Sequence, residues 1–210
     1  MRPCFLTRAW LRLRGDQRGV AAIEFALVVP AVILIYVVGF EVTQAATANR
    51  KLTDTTVQLA NVTAQYTTMT CSTDIPNVLN ASAQIMTPYP TGNLSIVLSE
   101  VSVDSSNRAY VDWYQPWSNG ALTTGIAPTI TMPAGYQNQA ATSSGCPIPA
   151  GAPNAIYTCY ISVQTTYTYQ PSIGAAFIGP ITMTNQMFML PRASSSVPIS
   201  DLSSGAITCT

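Results

Sequence analysis

The 210 residues carry nine basic and nine acidic side chains and no histidine, and only 9% of the chain is charged. Beyond the N-terminal segment the cations are Arg50, Lys51, Arg108 and Arg192, which excludes the clustered basic surface that nucleic-acid binding needs. Lack of histidine removes the commonest general base, and the length leaves room for one membrane helix and one modest domain.

Residues 1–19 are short and basic, with Arg2, Arg8, Arg12, Arg14 and Arg18 against the single acid Asp16, and they read as a leader peptide. From Val20 to Phe40 every side chain is apolar or weakly polar except Glu24, a run of the length a helix needs to cross a bilayer. One carboxylate near the membrane centre costs about 2.5 to 3.5 kcal/mol, which the surrounding Leu, Ile, Phe and Val offset at about 0.3 to 0.6 kcal/mol each. The five arginines keep the N-terminus in the cytoplasm and send the rest of the chain across. A cut between Gly19 and Val20 would place a new amino group four residues before Glu24, where it can pair with a carboxylate of its own or a neighbouring chain.

The segment Arg18-Gly19-Val20-Ala21-Ala22-Ile23-Glu24-Phe25-Ala26-Leu27-Val28-Val29-Pro30 resembles the TadE-like and TadG-like pseudopilins of tight-adherence (Flp) pilus systems. The likeness is looser over Asn49 to Met69, Ile96 to Ser99, Val111-Asp112-Trp113 and Pro191-Arg192. The resemblance implies processing at Gly19 and Val20 by a prepilin peptidase. It also implies Glu24 and Phe25 as assembly residues, and as partners other pilins, pseudopilins and the inner-membrane pilus assembly platform. Two alternatives compete. One is a plain signal anchor; the other is an envelope binding protein that joins no filament, either membrane-anchored or secreted by signal-peptidase cleavage after Ala46-Thr47-Ala48.

Glu41 to Tyr66 contains no Gly or Pro, and Ala45, Leu52, Leu59 and Tyr66 recur at seven-residue steps, with Ala48 and Val62 filling the same stripe. The helix is therefore expected to run from Val20 to about Thr67, a rod of about 70 Å, kinked at Pro30. Asp74 is expected to cap a short helix over Asn77 to Met86. A strand from Leu94 then changes phase at Ser99-Glu100, which suggests a bulge, and turns at Asp104 to Asn107 into a second strand, Ala109 to Gln115. Pro116 to Gly151 reads as a long surface excursion, followed by strands over Ala155 to Gln170 and Ile181 to Leu190 and an irregular tail secured mainly by Cys209.

The expected fold is α+β: a long N-terminal membrane-spanning helix extending into the periplasm, then a small antiparallel sheet domain with a disulfide-tied loop. Its divisions are a leader over 1–19, the span over 20–41, the periplasmic continuation over 42–70 and the domain over 71–210. Cys71, Cys146, Cys159 and Cys209 are an even number in the exported part, as an oxidising compartment favours. Three pairings are open; the reading preferred joins Cys146 with Cys159 and Cys71 with Cys209. Without Cys-x-x-Cys or histidine, neither a metal site nor a cofactor is expected. Glu100 and Asp112 are the one acid pair that can meet across the hairpin, in the manner of glycosidase carboxylates, though solvated strand residues explain them as well. Tyr110, Trp113, Tyr114 and Trp117 form a candidate binding patch against a reading as core packing, and no enzyme is expected.

Overall fold

The computed structural model describes residues 18–104, 106, 108–132, 157–173, 178–202 and 207–209. Most of the leader, Cys4, Cys146 and much of the Pro116 to Gly151 excursion, with its disulfide-tied loop, lie outside the described residues.

Helix α1, Arg18–Thr63, passes through Pro30 without interruption and is about 70 Å long at 1.5 Å per residue. Its many threonines are accommodated because their hydroxyls bond back to the carbonyl four residues earlier, as Thr43 does to Gly39 (2.9 Å) and Thr56 to Leu52 (2.7 Å). Between Gly19 and Phe40 no side chain of the helix is buried and nearly all are exposed, whereas from Glu41 onward one side is buried: Ala45, Ala48, Leu52, Thr55, Thr56, Leu59 and Ala60. Val62, expected on that stripe, is instead exposed, and Tyr66 lies beyond the helix. The helix stops short of Thr67, its end closed by a tighter turn and the next carbonyl taken by the tail. Gln65 and Tyr66 donate back three residues to tighten the final turn, and Arg192 N–H takes Ala64 O at 2.7 Å.

Helix α2 is Asp74–Met86, three residues longer at its start than expected. Asp74 is not its cap. The carboxylate lies in the first turn and accepts from Thr70 N–H and Thr70 Oγ1, both at 2.9 Å, while Pro76 occupies a position where no helical N–H is needed. At the other end Lys51 Nζ donates to the carbonyls of Ile85 and Thr87, so a cation from α1 serves the negative end of α2.

Among the described residues, five antiparallel strands form one sheet in the order β3-β2-β1-β4-β5: β1 Leu94–Asp104, β2 Ala109–Ser118, β3 Ala121–Leu122, β4 Tyr157–Tyr169 and β5 Ile181–Met189. The fifth strand, unexpected, is β3, made by a two-residue turn with Asn119 and Gly120 both at positive φ (54° and 83°). This is the hairpin chemistry that Asn-Gly favours. α1 and α2 cover one face, burying Leu94, Ile96, Leu98, Trp113, Trp117, Ile161, Val163 and Tyr167.

A bulge does fall where β1 changes phase, between Glu100 and Val101, but its extra residue is on the facing strand. β1 keeps an unbroken register with β4, and the irregularity lies on β2, where Glu100 faces Trp113, Val101 faces Val111 and Asp112 is the extra residue. Val101 and Val103 therefore point to the opposite face of the sheet. There they meet Tyr160, Phe188, Ile130 and Met132 in a second small core. The tail is likewise tied at many points rather than mainly at Cys209. Met69 bridges Ile199, Ser200 N–H donates to Met69 O at 2.9 Å, and Asp201 accepts from Cys71 N–H (2.6 Å) and Ser72 N–H (3.2 Å). These amides, that of Cys71 foremost, hold the Asp201 carboxyl below the usual carboxylate range.

Candidate functional site

The exposed half of α1 carries Gly19, Val20, Glu24 and Phe25. A side chain added at Gly19 would meet nothing within 4 Å, so the fold itself does not require glycine there. Glu24 is exposed, as is Phe25 at 70%, and Ile23, Leu27 and Ile35 are as bare. A helix surface this apolar and this unpacked suits a membrane anchor.

Protein contact begins at Glu41, which sequence reasoning missed although it is the acid next to the apolar run. Glu41 is 2% exposed and its carboxylate accepts from Tyr169 Oη (2.7 Å), Ser172 Oγ (3.2 Å) and the Ile173 N–H (2.8 Å). Burial, and then the Glu41 carboxylate at its hydroxyl, push the Tyr169 phenol above the ordinary tyrosine range. Tyr89 adds to this joint, donating to Gln44 O (3.1 Å) and stacking edge-on against Tyr167 and Tyr169. Glu41→Ala would leave these donors without their acceptor and is expected to destabilise the domain by about 2 to 3 kcal/mol, measured by thermal denaturation in detergent. Tyr169→Phe, which removes one donor and leaves two, should cost less.

The acids Glu100 and Asp112 do come together. The extra residue on β2 turns Asp112 to the same face as Trp113, where Ser102 Oγ donates to its Oδ2. Glu100 is fully buried and accepts from Trp113 Nε1 (2.9 Å) and Val197 N–H (2.6 Å). Burial raises the Glu100 carboxyl against the pull of those two donors. Burial also pushes Asp112 up to about 7, opposed by the Ser102 hydroxyl and reinforced by the charge of Glu100. Asp112 Oδ1 is buried without a hydrogen-bond partner among the described residues. Glu100 thus lies beneath the tail, while Asp112 is half-buried.

The four aromatics are not one patch. Trp113 and Trp117 are core residues at 2% and 1% exposure, while Tyr110 and Tyr114 are half-buried. Cys71 and Cys209 form a disulfide. Cys159 is also disulfide-bonded, and Cys146 lies outside the described residues. A shallow hollow of about 330 Å³ beside the Cys71–Cys209 bridge is lined by Ser72, Leu122, Thr123, Thr124 and Asp201.

No curated protein and no solved structure matches the chain. The family comparison does: over residues 19–68, which take in the bare apolar helix and its packed continuation but not the sheet, the chain is similar to the family described as TadE-like protein.

Proposed function

We propose that this chain is a minor pilin of TadE-like type, acting in Flp pilus assembly and surface adherence through lateral packing of its apolar helix in the inner membrane. The TadE-like family implies involvement in the Tad/Flp pilus system, whose proteins of this kind are structural rather than enzymatic. The carrying observation is the sharp boundary at Glu41, with a bare apolar helix on one side and a helix packed into a domain on the other. In this reading a prepilin peptidase cuts between Gly19 and Val20. The chain then sits as a single pass with its N-terminus cytoplasmic and its domain periplasmic, Cys146 pairs with Cys159, and Glu24 receives the new amino group of Val20 within or between subunits. Other pilins and pseudopilins and the assembly platform are its partners. Phe25, exposed one residue on, supplies apolar contact beside the pair.

The secreted alternative is disfavoured by the joint itself. Ala48 is wholly buried between rod and sheet, and a cut after it would remove Glu41 and Ala45 from the packed interface. N-terminal sequencing of the membrane-extracted protein is expected to begin at Val20; a start at Asn49 or Met1 overturns the reading. Glu24→Gln is expected to leave membrane insertion unchanged and to lower incorporation into pili about tenfold, the ratio that about 1.4 kcal/mol of lost pairing produces. Replacing Gly19 by a bulky residue should block processing.

A further inference from the structure

Glu41 follows directly on Phe40, the last residue of the apolar run, and holds the turn that leaves β4 by bonds from Ser172 Oγ (3.2 Å) and the Ile173 N–H (2.8 Å). Ile173 is therefore fixed level with the end of the bare helix, and it is 63% exposed. Tyr89, bonded to Gln44 less than one helical turn further along, brings a second connection to the same end of the domain. No residue from Thr87 to Asn93 or from Gln170 to Ile181 is charged. The nearest cations along the rod, Arg50 and Lys51, lie about 14 Å further from the apolar run at 1.5 Å per residue, and the Lys51 ammonium is turned to α2. The one local charge, Glu41, is met by three donors and 2% exposed.

An exposed isoleucine anchored beside the exit of an apolar helix, on an uncharged rim, fits one medium. We propose that the turn after β4, at Ile173, rests in the boundary between headgroups and acyl chains of the bilayer from which α1 emerges, so that the domain touches the membrane at a second point. This rests on the membrane-anchored reading above. Two contacts, unlike one, fix the rotation of the domain about the helix axis, and neighbouring subunits would then present the same face to one another.

The test uses the full chain in liposomes of phosphatidylcholine and phosphatidylglycerol, with and without bromine on the acyl chains near the headgroups. Ile173→Trp is compared with Ala193→Trp, which lies next to the Arg192 contact at the far end of the rod. Both sites are exposed, and retention of the Cys71–Cys209 bridge on non-reducing gels reports that each variant has folded. The expected result is that the emission added by Ile173→Trp is blue-shifted and mostly lost in brominated liposomes, while that added by Ala193→Trp is not quenched. A chain that floats with the liposomes but whose added emission at 173 stays unquenched overturns this proposal and leaves the anchor standing. A chain that does not float with them overturns the anchor and the proposal together.

Discussion

Cys209→Ser is expected to destabilise the folded domain by about 4 to 5 kcal/mol, because the bridge closes a loop with a sequence separation of 138 residues and so removes much of the freedom of the unfolded chain. For a domain of this size that corresponds to a melting temperature roughly 10 to 15 °C lower. Cys71→Ser should do the same, and the double variant should lose no more than either single one, since both remove one bond. The tail would not fall away altogether. Asp201 still accepts from Cys71 N–H, Val197 N–H still reaches Glu100, and Cys209 N–H donates to Gln115 Oε1 at 3.0 Å, a backbone contact that serine can keep. Thermal melts of the detergent-extracted protein decide the matter; equal melting of variant and parent would show that the bridge carries none of this stability.

Asp112→Asn is expected to make the protein more stable at pH 8, by about 2 to 4 kcal/mol, and to change little near pH 4. The folded state holds the Asp112 proton up to about pH 7, against 3.8 for a free aspartate. Between those values the unfolded chain binds fewer protons than the native one, so stability falls as pH rises and levels off above about 7. Glu100, also raised by burial, adds to the slope in the same sense. Ser102, which donates to Asp112, and the Cys159 sulfur 3.8 Å from the Ser102 hydroxyl supply no positive charge. Asparagine keeps an acceptor for Ser102 and carries no charge to desolvate, so the slope should largely vanish. Denaturant unfolding at intervals from pH 4 to pH 8 tests this, and a variant whose slope matches the parent's refutes it.

Much of the architecture was legible because it is written in local periods. The apolar run and its flanking arginines, the seven-residue stripe of Ala45, Leu52 and Leu59, and the alternation in β4 each repeat within a short window. Even the missed hairpin had its signal, Asn119-Gly120, hidden inside a stretch that reads as loop by composition. The acid pair Glu100 and Asp112 was visible as a pairing across a turn, but not its burial.

By itself the sequence determined that an apolar helix comes first, that it continues as an amphipathic rod, and that strands follow, since these depend on side chains only a few positions apart. Tertiary structure alone decided that Glu41 would meet Tyr169, 128 residues away, that Trp113 would lie under Val197, and that the extra residue of the first hairpin would be Asp112. The physical reason is that a buried polar group must find a partner wherever the fold brings one, and that partner leaves no mark on the neighbouring sequence.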